Sequence, residues 1–188
     1  LKFLFCFSMY IAKKALKKQF DPRKFPQETY LLCMLHWGES DVLWIHWVRN
    51  DDDRNRHAEE YFLEEIFEAR SSRSCHITWY LSWSPCAMCC YRILDFLQSH
   101  PNVNIDIRVA RLYYIHNVEN RRGLRALDSL SGVTIRAMDM AGKAPHALDC
   151  WENFRQGHGD DDSWPRNFQQ AIARNRLTLS RVLEVSTL

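Results

Sequence analysis

Cys75-His76-Ile77-Thr78-Trp79-Tyr80-Leu81-Ser82-Trp83-Ser84-Pro85-Cys86-Ala87-Met88-Cys89 reads as a strand that turns, at a proline, straight into a helix. Residues 75–83 are β-branched and aromatic, as suits a pleated, packed surface. Pro85 stands just before the first turn of a helix running from Cys86 to Ser99. Upstream, Tyr30 to Trp37 and Val42 to Val48 are two apolar, aromatic-rich runs joined through Gly38-Glu39-Ser40-Asp41, a hairpin signal. The polar stretch from Arg49 to Arg56 then leads into a helix from His57 to Ala69, with Ala58, Phe62, Ile66 and Ala69 on one side. Downstream, a strand (Val103 to Leu112), a helix (Glu119 to Leu130) and a short strand (Val133 to Met138) follow. Two more helices, Lys143 to Gln156 and Pro165 to Glu184, are separated by the Gly- and Asp-rich segment 157–162. At the other end, Tyr10 to Phe20 carries Lys13, Lys14, Lys17 and Lys18 at helical spacing and is ended by Pro22 and Pro26. The order predicts a three-layer α/β/α sandwich: a five-stranded mixed sheet with about six helices on its two faces.

At 188 residues the chain is long enough for one domain with a full core and short for two. Residues 1–20 read as an apolar segment and basic helix, and 21–188 as a single domain. A net charge of +2 excludes a polycation, so any nucleic-acid binding must rest on local patches. The seven cysteines are odd in number and sit in elements that read as core. This predicts a reducing compartment, cytoplasmic and/or nuclear, with thiols free or metal-bound. Residues 1–12 are apolar but fall short of the roughly 20 that a membrane span needs, and no small-residue cleavage site precedes the basic run. Neither secretion nor membrane association is expected. Leu1 at the start marks a fragment or a processed chain, with Met9 an alternative beginning.

Two short motifs carry the chemistry. His57-Ala58-Glu59 supplies an imidazole and a carboxylate, and Pro85-Cys86-Ala87-Met88-Cys89 supplies two thiols three residues apart on one helix face. One imidazole and two thiolates suit tetrahedral zinc with one position left for water. Helix starts stabilise thiolates. Glu59 is not needed as a ligand and is placed to move protons beside the metal. The spacing H-x-E then P-C-x-x-C is that of zinc nucleobase deaminases. Other readings exist for each part. Cys86 and Cys89 alone fit a redox dithiol; a purely structural zinc site wants a fourth protein ligand. Cys90 points away from Cys86 on a helix, and His76 reads as a strand residue, so neither supplies it.

Residues 78–86, Thr-Trp-Tyr-Leu-Ser-Trp-Ser-Pro-Cys, resemble a segment of the AID/APOBEC polynucleotide cytidine deaminases. The similarity continues, in order, through Ala110-Arg111-Leu112-Tyr113, Gly123-Leu124-Arg125-Ala126-Leu127, Ser131-Gly132-Val133-Thr134-Ile135 and Cys150-Trp151-Glu152-Asn153-Phe154. It spans residues 20–165, and Asp21-Pro22-Arg23, Leu31-Leu32 and Trp37-Gly38 are most similar to the mRNA-editing branch. The resemblance implies a cytidine deaminase-like fold and hydrolysis of cytosine to uracil in single-stranded DNA, RNA or both. It implies zinc on His57, Cys86 and Cys89, with Glu59 taking a proton from water, passing one to ring N3 and protonating the leaving amine. It further implies that Trp83 and Tyr113 sandwich the base and that Thr29 and Asn50 contact the phosphate or sugar, with Asn55 a competitor for Asn50. Ala58, Ser84 and Tyr114 complete the implied substrate-binding set, and residues 113–119 match the loop that chooses the 5′ neighbour. Packing roles for Trp83 and Tyr113 stand beside these.

Arg108, Arg111, Arg121, Arg122 and Arg125, with the cluster from Lys13 to Lys24, read as a groove for a single-stranded backbone. The lysines also fit a solvated helix face, and Arg111 a buried structural pairing. Asp51, Asp52 and Asp53 lie beside the expected mouth and repel phosphates. The resemblance allows an RNA-binding editing cofactor and a homodimer as partners, and the stop at Leu188 leaves both open. Rival functions are a non-catalytic zinc-containing RNA-binding member of the same fold and a deaminase of free nucleosides.

Overall fold

A computed structural model describes residues 10–38, 43–67, 73–141, 144–148, 150–156 and 168–184. Five strands, β1 (Tyr30–Trp37), β2 (Leu43–Arg49), β3 (Cys75–Leu81), β4 (Val103–Val109) and β5 (Val133–Ala137), form one sheet in the order β2-β1-β3-β4-β5. β1 is antiparallel to β2 and β3, whereas β3, β4 and β5 run parallel. Strand alternation divides the core in two. Leu31, Cys33 and Leu35 of β1, Ile77, Trp79 and Leu81 of β3, and Ile105 and Ile107 of β4 face a helical layer made by α2 (Ala58–Tyr61), α3 (Ala87–Ser99) and α4 (Val118–Asp128). Tyr30, Leu32 and Tyr80 face the other layer, built from α1 (Lys13–Phe20), α5 (Trp151–Phe154) and the start of α6 (Phe168–Glu184). α6 gives Phe168 and Ile172 to this second core and Leu179 to the first. The architecture is the expected α/β/α sandwich with a five-stranded mixed sheet.

Register decides where the site forms. Tyr30 pairs with Arg49 and Leu31 with Leu81, and Leu81 pairs with Val109. The beginning of β1 and the ends of β2, β3 and β4 therefore converge at one end of the sheet.

Two expected helices differ. The one from His57 to Ala69 is four α-helical residues followed by a single π-helical turn, Phe62–Ile66, closed by Phe67 N–H donating to the Phe62 carbonyl at 2.9 Å. Phe67 is already extended, and Ala69 lies outside the described residues. In place of a helix from Lys143 to Gln156, β6 (Met140–Ala141) pairs with β7 (Ala144–Leu148), and only Trp151–Phe154 is helical. Pro145 disfavours the α region at Ala144, and strand pairing takes over. Residues 1–9, 39–41 and 157–162, and Pro165, which figure in the sequence reading, also lie outside the described residues. No described helix is long and apolar enough to cross a membrane.

Candidate active site

His57 and Cys86 are both N-cap residues, of α2 and α3, with extended backbone (ψ 152° and 170°) that turns each side chain back over its helix start. Neither makes a capping hydrogen bond. Their polar atoms are spent on one another: His57 Nδ1 lies 3.2 Å from Cys89 Sγ and 3.6 Å from Cys86 Sγ. Among the described residues these three form a cluster whose ligand atoms all lie within 4.8 Å of each other, close enough to hold one metal ion. The Cys89 thiol donates to Cys86 and holds it as a thiolate, down to about 4. The same contact pushes Cys89 up, and the Cys86 sulfur raises His57. A donor set of one imidazole and two sulfurs, one already anionic, fits zinc.

Glu59, one residue into α2 beyond Ala58, is 3% exposed. Burial pushes its carboxyl up to about 7, with the neighbouring Cys86 charge adding to the shift. A group poised there can both take and give a proton near neutrality. Ala58 itself is fully buried in the first core.

Thr29, Asn50, His57, Glu59, Trp83, Ser84, Cys86 and Tyr113 line one cavity of about 140 Å³. Thr29 and Asn50 are tied reciprocally: the Thr29 N–H donates to Asn50 Oδ1 at 2.9 Å and the Asn50 N–H to the Thr29 carbonyl at 3.1 Å. The Asn50 amide also donates to Asp52, so the acidic loop reaches the wall of the cavity. Asn55 sits in the exposed turn beyond, at φ 51°. The Trp83 indole donates to the Pro26 carbonyl at 3.0 Å, and its ring meets Tyr113 edge-on, centroids 6.2 Å apart. Ser84 Oγ accepts from the Tyr113 N–H at 2.9 Å. Tyr114 is 72% exposed, stands outside the lining and packs edge-on against Tyr113.

Sequence reading missed two participants. Gln27 lines the cavity, and no motif marks it. Asn120 of α4 is buried against the start of α3 and the loop after β4; the Asn117-x-x-Asn120 spacing at a helix start was its one signal.

The arginine groove is corrected in part. Arg111 is 2% exposed, donates to the carbonyls of Gln19 and Asp21, and lies under the Trp83 ring, 4.6 Å from its centroid. Burial lowers it to about 10. Arg108 points to the opposite face of the sheet, pairing with Asp106 at 2.9 Å and donating to the Tyr80 hydroxyl. Arg122 pairs with Glu119, and Arg125 Nε donates to the Val182 carbonyl. A larger cleft of about 510 Å³ lies along β5 and α6. Its guanidiniums are paired, Arg108 and Arg136 with Asp106 and Arg176 with Asp139, and it contains none of His57, Cys86 and Cys89.

Comparison with known proteins adds an independent line. A family model described as APOBEC4-like, of the AID/APOBEC deaminases, matches residues 19–157. The C->U-editing enzyme APOBEC-1 of Pongo pygmaeus is 41% identical over 151 residues, 78% of this chain and 61% of the relative. That of Rattus norvegicus is 40% identical over 151 residues, 78% of this chain and 62% of the relative. The DNA dC->dU-editing enzyme APOBEC-3H of Homo sapiens is 32% identical over 136 residues, 71% of this chain and 66% of the relative. The chain spans about three fifths of the length of the APOBEC-1 relatives.

Proposed function

The chain belongs to the AID/APOBEC deaminase family, and from that premise we propose that it hydrolyses cytosine to uracil in single-stranded DNA or RNA. The observation that carries this reading is the buried Glu59 carboxyl sharing one small cavity with His57, Cys86, Trp83 and Tyr113. Names of relatives that edit C to U in nucleic acid support the reaction and the polymer.

His57, Cys86 and Cys89 would hold zinc. When bound, the ion supplies an acidified water as nucleophile. Glu59 would do the proton work: it accepts one proton from the water and delivers it to ring N3, then accepts the second from the oxygen newly bonded to C4 and delivers it to the exocyclic amine, which leaves as ammonia while the ring keeps the oxygen. Desolvation at Glu59 keeps its proton affinity high enough to give a proton as well as take one. Trp83 and Tyr113 provide aromatic surfaces for the target base, and such stacking contributes about 1–3 kcal/mol. Thr29, Asn50, Ser84 and the backbone at Ala58 and Tyr114 complete the substrate contacts in this reading. The cavity is on the scale of a single base, so a cytosine must be unpaired to enter.

The reading extends to residues 21–188 as one catalytic domain, to an RNA-binding editing cofactor and a homodimer as partners, and to the cytoplasm and/or nucleus as the place of action. The test is uracil formation on a cytosine-containing DNA strand and its RNA counterpart, with Glu59→Ala as control and bound zinc measured in both proteins. Product lost in Glu59→Ala with zinc retained supports deamination and ranks the two polymers. Folded, zinc-loaded protein that binds RNA and makes no uracil moves the assignment to a non-catalytic binding member of the fold.

A further inference from the structure

The first turn of α3 takes its cap from another helix. Cys86 occupies the N-cap position, but its sulfur is turned to His57 and Cys89 and caps nothing. The N–H of Ala87, one of the orphan donors of a helix start, is instead accepted by Asn120 Oδ1 of α4 at 2.9 Å. The other end of the same amide is also used: Asn120 Nδ2 donates to the carbonyls of Tyr113 and Tyr114, at 3.3 and 3.4 Å. The side chain is 7% exposed, and its backbone N–H is fixed by Asn117 Oδ1 at 3.2 Å. One buried amide thus joins the helix that presents Cys86 and Cys89 to the loop that presents Tyr113.

That loop needs holding. Tyr114 sits at φ 37°, a left-handed conformation that a bulky residue keeps only where its surroundings over-determine it. Besides Asn120, the anchors are Ser84 Oγ on the Tyr113 N–H and the turn bond from the Asn117 N–H to the Tyr114 carbonyl. Losing the donors of Asn120 takes that bond from the Tyr113 carbonyl and leaves the Tyr114 carbonyl to the Asn117 N–H, with the helix cap intact.

We propose that Asn120 is a positioning residue that fixes the separation between Tyr113 and the thiol pair, and so sets how tightly a single strand is held in the cavity. The kinetic part of this inference rests on the deaminase reading; the geometric part does not. Asn120→Asp separates the two jobs. It keeps an acceptor for Ala87 N–H, favoured by the helix start, and removes both donors to the loop. Asn120→Ala removes everything.

The expected result for Asn120→Asp is wild-type zinc content, a rise of about tenfold in KM for a cytosine-containing oligonucleotide, and kcat within about twofold. Amide hydrogen exchange should quicken over residues 113–117 and not over 87–90. Asn120→Ala should lose zinc as well as affinity. Wild-type KM and exchange in Asn120→Asp would overturn the proposal, as would a KM rise matched by an equal loss of zinc. If the wild-type protein makes no uracil, the deaminase reading falls alone, and exchange at 113–117 still decides the role of Asn120.

Discussion

The two helix starts that meet at the cavity are built on opposite plans. α3 runs thirteen residues, receives a borrowed cap from Asn120, and lies so close to α4 that a Cβ on Gly123 would stand 3.0 Å from Cys90 Cβ and 3.1 Å from Ala87 Cα. α2 lasts four residues, has no side-chain cap, and passes at once into a π-helical turn. Such a turn inserts an extra residue and re-aims what flanks it, and it recurs at functional sites. The thiols therefore stand on the tightly framed element. The imidazole and the carboxylate stand on the irregular one, whose outer face is braced by Arg56 and Arg92 against Glu60, Glu64 and Glu65. Two of the three side chains that could hold one ion thus stand on the framed element, and the third shares the irregular one with the proposed proton carrier.

The sharpest break in this comparison is Glu59→Gln. The change keeps shape and removes the proton carrier, so uracil formation should fall by about 10²–10⁴-fold with zinc content unchanged. Its melting temperature should not drop, because an ionised carboxyl that is 3% exposed costs more to keep there than a neutral amide. Next comes Phe62→Ala, which empties the start of the π turn. Phe62 is fully buried and packs edge-on against Trp79 at 5.3 Å. Denaturant titration should register a loss of about 3–5 kcal/mol. Gly123→Ala tests the framed side: wedging α3 from α4 should cost about 1–3 kcal/mol in the same titration, and an unchanged midpoint would mean that the two helices part freely. Arg92→Ala comes last. Its pairs with Glu60 and Glu64 are at 3.2 and 3.0 Å on a half-exposed surface, so the loss should stay under about 1 kcal/mol and shrink further in high salt.

The framed side was legible in the sequence and the irregular side was not. The β-branched and aromatic content of residues 75–83, with Pro85 before Cys86, places strand, turn and helix where they stand, because each signal is local. The ligand cluster was legible for the same reason: His57, Cys86 and Cys89 sit at helix starts that the motifs themselves mark. The π turn was hidden, since Ala58, Phe62 and Ile66 fit an ordinary helix equally well and only packing on the sheet selects the wider turn. The β6–β7 pair was hidden behind residues with good helix propensity, where Pro145 and strand pairing prevail. Arg111 illustrates a third kind of silence. A surface role and a buried role look alike in a sequence when the partners are backbone carbonyls some ninety positions away.

Those carbonyls give the amino-terminal helix a duty its lysines do not suggest. Gln19 and Asp21 are what keep a permanently charged guanidinium soluble beneath Trp83. A variant trimmed to begin after Asp21 would strand that cation among aromatic and aliphatic neighbours, a defect worth about 3–5 kcal/mol. α1 is in this sense a stopper: pull it out and Trp83, on the wall of the cavity, loses its foundation.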